Sequence, residues 1–206
     1  MAEKWAASVY LTVTGANERQ KDAYLATDQD YVDLDTESRQ DDGTTAVTAA
    51  LVGQRLIMAH VGDSRAVLCE GGVAIPLTED HKPDRADERD RVESKGGTVV
   101  WAGTWRVSGV LAVSRSFGNR MMKHLIIPHP EIREDILHGA NSMVILASDG
   151  MWDVISNQQA LDIARHFGSP EHAARALVTE AYVRGSQDNI SCICVFFSFP
   201  RVSSEL

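Results

Sequence analysis

Several kinds of sequence feature are missing from this chain, and each absence excludes something. Among its 206 residues there are three cysteines, Cys69, Cys192 and Cys194. That is too few for a disulfide framework, and it suits a reducing compartment. No run of about 18 apolar residues occurs, so no transmembrane helix is expected. The N-terminus has no basic region followed by an apolar core, so no secretory signal is read there. The expected location is therefore cytoplasmic or nuclear. The net charge is -9, without the basic excess that nucleic acid or an acidic membrane surface requires. No nucleic-acid or membrane partner is expected, and a monomer is. The composition, 44% hydrophobic and 24% charged, is that of a globular protein with one substantial core.

Several reaction signatures are also missing. There is no Gly-rich loop ending in Lys-Ser or Lys-Thr, no G-x-S-x-G elbow and no H-E-x-x-H helix. No cysteine precedes an arginine at the short spacing that cradles phosphate, which excludes a cysteine-nucleophile phosphatase. Cys192 and Cys194 alternate on a strand pattern and read as core filling. His60, His81 and His129 stand singly in the sequence and read as structural histidines.

What is present begins with a pattern of β-structure. Thr45–Val52, Arg55–Val61, Arg65–Cys69 and Val73–Leu77 are short runs separated by glycine turns, and they predict an antiparallel meander. Asn17–Tyr31 predicts a helix with Ala23, Thr27 and Tyr31 on its packed side. Asp28–Asp42 carries seven acids and one arginine, and its later half reads as a solvated loop. Pro83–Lys95 predicts a helix with proline in its first turn. Short strands are expected at Thr98–Trp101 and Val110–Ser114. Ser156–Gln159 is a capping box ahead of the stripe Ala160, Ile163, Ala164 and Phe167. Ser169-Pro170 opens a second helix that Gly185 closes. Hairpins first and helices later point to an α+β fold with antiparallel sheets.

The chemistry concentrates in carboxylates at strand ends. Met143–Ala147 is an apolar run that ends in Ser148-Asp149-Gly150. A charge at the mouth of a buried strand is costly unless it is paired, and a divalent cation is a common partner. Gly185-Ser186-Gln187-Asp188-Asn189 repeats the arrangement in reverse before the apolar run Ile190–Phe197. Neighbouring strands would bring Asp149 and Asp188 together. Asp63, in the turn Gly62-Asp63-Ser64, is a third candidate; a turn-forming role explains it equally well. Asp153 caps or solvates the turn after Trp152. Oxygen ligands of this kind suit Mg²⁺ or Mn²⁺ better than zinc or copper.

Six segments occur in order: Asp42-Gly43-Thr44-Thr45-Ala46, Val61–Ala66, Asp80-His81-Lys82-Pro83, Gly109–Gly118, Ala147–Val154 and Arg184–Ser191. Together they resemble the metal-dependent serine/threonine protein phosphatases of type 2C, in their plant-like branch, over about residues 17–197. The resemblance implies a sandwich of two antiparallel β-sheets flanked by helices, with a dinuclear Mg²⁺/Mn²⁺ centre at one end. There a metal-activated water hydrolyses phosphoserine or phosphothreonine in a phosphoprotein substrate. It assigns Asp149 and Asp188 as metal ligands and Asp63 to a third, weaker ion. Val92–Arg106 falls where the family places a flap that helps choose substrates. The family's Asp-Gly-His-Gly-Gly motif, with its bridging aspartate, does not occur here. The expectation is one incomplete phosphatase domain over residues 1–206, with impaired activity. The rival reading is a catalytically inactive variant that binds phosphoproteins or regulates. Asn119 replaces the aspartate that usually follows the Phe-Gly pair, and weaker local bonding is expected there.

Overall fold

The computed structural model describes residues 17–38, 41–137 and 142–197. In chain order its elements are α1 (Asn17–Ser38), β1 (Gly43–Thr44), β2 (Ala46–Val52), β3 (Arg55–Val61), β4 (Arg65–Glu70), β5 (Val73–Pro76), α2 (Ala86–Ser94), β6 (Val99–Trp101), β7 (Trp105–Val107) and β8 (Phe117–Gly118). A 3₁₀ turn follows at Arg120–Met122, then β9 (Glu131–Ile136), β10 (Met143–Ala147), α3 (Asp149–Trp152), α4 (Asn157–Ala164), α5 (Pro170–Val183) and β11 (Cys192–Phe196). None of the described helices is long and apolar enough to cross a membrane.

Two antiparallel sheets form a sandwich. One has the order β2-β3-β9 and the other β11-β10-β4-β5. Side-chain alternation along each strand assigns the layers. Leu56 and Met58 of β3 meet Ala66 and Leu68 of β4 and Val144 and Leu146 of β10 between the sheets. The opposite face of the second sheet offers Val67, Met143, Ile145 and Ala147 to Ala160, Leu161, Ala173 and Leu177 of α4 and α5. Behind the first sheet, Ala59 and Val61 meet Tyr24 of α1. The order of layers is helix, sheet, sheet, helix, as the α+β sandwich requires.

The expected meander is corrected. β2 pairs with β3 and β4 with β5, but β3 and β4 belong to different sheets. The chain crosses the sandwich at Gly62-Asp63-Ser64. Glycine turns look alike in sequence whether a strand folds back on its neighbour or changes layer. β9 was not anticipated, because its sequence runs through three consecutive charged residues, Arg133, Glu134 and Asp135, with no apolar alternation. Val110–Ser114 forms no strand; Leu111 makes only an isolated bridge to Val107, and β7 takes the pairing with β6. α2 begins at Ala86, after a turn at Pro83-Asp84, later than the proline suggests.

α1 runs to Ser38, so the acidic stretch expected to be loop is helical up to that point. Its buried face is turned by one residue: Tyr24 and Asp28 are buried, while Ala23 and Thr27 are exposed. The Tyr24 hydroxyl donates to the Ala59 carbonyl at 2.7 Å, and its ring meets Phe117 edge-on at 5.2 Å. Asp28 accepts from the Gly118 N–H at 2.9 Å and pairs with Lys123. Polar partners on the sheet select this face, and no apolar periodicity reveals them.

The later helices match expectation except at Phe167, which lies beyond the end of α4 and is exposed instead of completing its apolar stripe. Ser156 accepts from the Gln159 N–H while Gln159 accepts from the Ser156 N–H, completing the capping box. Ala173, Leu177 and Ala181 are the buried face of α5. The sandwich layer between the sheets makes Leu146, 2% exposed, a direct probe of the fold. Leu146→Ala is expected to lower unfolding free energy by about 3 kcal/mol, measured by urea titration.

Candidate metal centre

The site follows from the register of the second sheet. At the end of β10, Ala147 pairs with Cys192 of β11 on one side and with Arg65 of β4 on the other. Asp149 leaves β10, Asp188 approaches β11 and Asp63 approaches β4, all at that same sheet end. Ser148 ties two of these loops together. Its N–H donates to the Ser191 carbonyl at 3.1 Å, its hydroxyl donates to the Asn189 carbonyl at 3.0 Å, and its Oγ accepts from the Ser191 N–H at 3.0 Å. The Ser186 hydroxyl adds a bond to the Gly150 carbonyl at 2.6 Å. Trp152 closes the other side, its indole N–H donating to the carbonyls of Ala147 and Arg65 at 3.0 and 3.1 Å.

Gly150 is required by closeness of packing. A Cβ there would lie 2.4 Å from the Asn189 carbonyl oxygen and 3.3 Å from the Asp188 Cβ. The two acidic loops therefore touch backbone to backbone. Gly150→Ala is expected to push them apart and destabilise the protein by about 1–3 kcal/mol, with the loss read from thermal unfolding.

The carboxylates interact strongly. Burial, then the neighbouring charge of Asp63, and further Asp188 and Asp153, push the Asp149 pKa up to about 7; Lys82 opposes this. Asp149 Oδ1 accepts only its neighbour Gly150's N–H, at 2.9 Å, among the bonds described. Asp188, exposed, accepts similarly from the Asn189 N–H at 2.6 Å. Asp63 is 3% exposed and ion-paired with Lys82. Burial raises its pKa, and the Lys82 ammonium counters the rise. Asp153 is exposed after the turn. These acids share one sheet end and act on Asp149 through their charges, and carboxylate oxygens suit a hard divalent cation, although the tight group of ligand atoms among the described residues is His60, His81 and Glu131.

Lys82, in the Asp80-His81-Lys82-Pro83 segment, sends its ammonium to Asp63, a pairing no feature of that segment announces. Arg65 is fully engaged, with two bonds to Asp80 at 2.9 and 2.7 Å and one to Asn157 at 3.0 Å. Asn119, where weaker local bonding is expected, keeps partners for both its side chain and its backbone. It accepts from the Ser116 hydroxyl at 2.5 Å and its N–H donates to the Asp42 carbonyl at 2.7 Å.

His60 and His81 are not single. Their rings stack at 4.4 Å with planes 15° apart, and with Glu131 they bring ligand atoms within 4.8 Å of one another. Burial, reinforced by His81, holds the His60 pKa down to about 4. His129 stands apart from this pair. Cys192 and Cys194 pack against the cluster under α4 and α5, as filler.

A sequence profile described as protein phosphatase 2C matches residues 10–190. The chain belongs to the protein phosphatase 2C family. It is 52% identical over 183 residues to a probable protein phosphatase 2C 45 of Oryza sativa subsp. japonica, covering 89% of this chain and 64% of that one. It is 53% identical over 178 residues to a probable protein phosphatase 2C 59 of Arabidopsis thaliana, covering 86% and 57%. The chain thus spans about three-fifths of the length of these two relatives. Among solved structures, the serine-threonine phosphatase 2C from Toxoplasma gondii superposes with a TM-score of 0.78 at 28% identity, over 88% of this chain and 67% of that one. A C. elegans sex determining protein superposes with a TM-score of 0.81 at 26% identity, over 87% and 46%. Members of the protein phosphatase 2C family are metal-dependent, and this fold holds side chains suited to that role.

A carboxyl whose folded pKa lies above its unfolded value costs stability as pH rises between the two values. For Asp149 that window runs from about 4 to about 7. In metal-free protein, Asp149→Asn is expected to raise the melting temperature at pH 8 and to leave it nearly unchanged at pH 4. Equal effects at both pH values would show that Asp149 is not held in a charge-poor setting.

Proposed function

We propose that the chain carries part of a metal-dependent protein serine/threonine phosphatase, and that Asp149 and Asp188 hold Mg²⁺ or Mn²⁺ with Asp63 at the third position. The observation that supports this most is the convergence of three carboxylates from three strand ends, with Asp149 driven toward its neutral form by burial and by the other acids. These residues would hold a divalent ion, which would lower the pKa of bound water so that it could attack a phosphate ester near neutral pH. The chain's own residues do the rest. Ser148 and Ser186 hold the Asp149 and Asp188 loops in register, which supports a role for the two acids at one site. Lys82 neutralises part of the Asp63 charge and limits repulsion within the cluster. The β6–β7 hairpin and α2 enclose their own small core of Val92, Val99, Val107, Leu125 and Ile126, and leave Trp101 64% exposed. This is the segment the family uses as a flap, and we assign it the contact with the phosphoprotein.

The 206 residues contain no Asp-Gly-His motif. With these carboxylates alone, ion affinity and turnover are expected to be weak. Calorimetric titration with Mn²⁺ tests the assignment: the wild-type chain should bind, and Asp149→Ala and Asp188→Ala should each abolish binding. Identical heats for all three proteins would remove the site. Turnover of a phosphoserine peptide in Mn²⁺ is expected to fall well below that of a full-length relative. Peptide binding with no turnover at all would mark a docking protein instead.

A further inference from the structure

The pair His60 and His81 lies beside the acidic site without belonging to it. His81 is fully buried, and both ends of its backbone are fixed. Its N–H donates to the Gly62 carbonyl at 3.0 Å, and its own carbonyl accepts from the Ser114 N–H at 2.9 Å. Its Nδ1 accepts from the Gly62 N–H at 3.0 Å. A nitrogen that accepts a hydrogen bond carries no proton, so the neutral ring bears its proton on Nε2. Nε2 has no partner within good hydrogen-bond geometry, and the nearest acceptor is Glu131 Oε1 at 3.4 Å. Glu131 is in turn gripped by Arg85 and approached by Arg115 at 3.3 Å.

Gly62 explains why its peptide needs such a clamp. Its φ is +93°, and a Cβ would lie 2.1 Å from Thr45 Cγ2. No side chain can anchor this residue, so the peptide N–H and carbonyl are its only handles, and His81 takes both. The next residues on the two sides are Asp63 and Lys82, which form the ion pair at the acidic cluster. We propose that His81 is a positioning residue: its unprotonated Nδ1 holds the Gly62-Asp63 turn so that the Asp63 carboxylate is presented to the metal centre. This rests on the reading of Asp63, Asp149 and Asp188 as an ion site.

The other use of these side chains, an ion held by His60, His81 and Glu131, fits the geometry less well. His60 Nε2 is engaged with the Glu79 carbonyl at 2.8 Å and His81 Nδ1 with Gly62. Two nearly parallel stacked rings direct their in-plane lone pairs side by side and do not converge them on one point. The Glu131 carboxylate already faces two guanidinium groups.

The test uses the 206-residue chain and two substitutions. Asparagine places an oxygen acceptor where Nδ1 stands, whereas glutamine places its amide near Nε2 and leaves Nδ1 vacant. Nitrogen-15 spectra of the wild type should show His81 as the Nε2–H tautomer at pH 7.5. In calorimetry, His81→Asn should keep the wild-type Mn²⁺ affinity, and His81→Gln should weaken it about tenfold or more, as for residues that orient metal ligands. A protonated Nδ1 in the wild type overturns the proposal, and so do equal Mn²⁺ affinities in His81→Gln and wild type. A Zn²⁺ equivalent bound by the wild type and lost in His81→Asn overturns it too, and marks the histidine pair as an ion site. If His81→Gln does not fold, the wild-type tautomer and the affinity of His81→Asn decide. If the wild type binds no Mn²⁺, the ion-site reading fails by itself, and the tautomer and the protection of the Gly62 amide in the two variants still decide the clamp.

Discussion

The mouth of β10 is where this structure is most constrained. Five buried apolar residues and Ser148 lead into an aspartate whose charge burial opposes. Everything nearby is arranged around that charge. The Ser148 bonds, the bare backbone of Gly150 and the indole of Trp152 hold the flanking strand ends at fixed distance. They cannot relax away from one another without leaving buried donors and acceptors unpaired. The acids therefore stay close although they repel, which is the condition a hard cation relieves.

The sandwich is the frame that makes this possible. β10 is central in its sheet, paired on both edges, so its end is placed by two ladders. The two strands beside it deliver Asp63 and Asp188 to the same rim. The crossing at Gly62-Asp63-Ser64 carries the chain from one sheet to the other at that rim, so a single turn serves both topology and site. Strain at such a turn is borne by glycine, and its hold on the rest of the molecule comes through hydrogen bonds from His81 and from the Thr45 and Ser64 hydroxyls, 2.8 Å apart.

A second network lies beneath the flap. Glu88, 1% exposed, is met by Arg91 and Arg115, and Glu131 by Arg85. Arg115 donates from Nε and Nη2 to the one oxygen Glu88 Oε1, at 3.0 and 2.6 Å, while Arg91 takes Oε2 at 2.7 Å. These pairs join α2, the segment around Arg115 and β9, so the base of the flap is tied to the first sheet. The hairpin above it adds ring contacts to its own small apolar core, with Arg89 over the Trp105 ring at 4.7 Å and Trp101 edge-on to Trp105 at 5.5 Å.

By itself the sequence determined the α+β class, the strands β2 to β5 and β10, the capping box of α4, and the placement of Asp149 and Asp188 at strand ends. Those features are local: they follow from alternation, turn residues and the apolar run that buries a strand. The tertiary structure alone decided that β3 and β4 part into different sheets, that Tyr24 and Asp28 form the buried face of α1, that Lys82 meets Asp63, and that His60 and His81 stack. Each of these joins residues far apart in the chain through a bond or an ion pair whose partner no periodicity announces, and only packing in three dimensions selects among the partners that the same residue types allow.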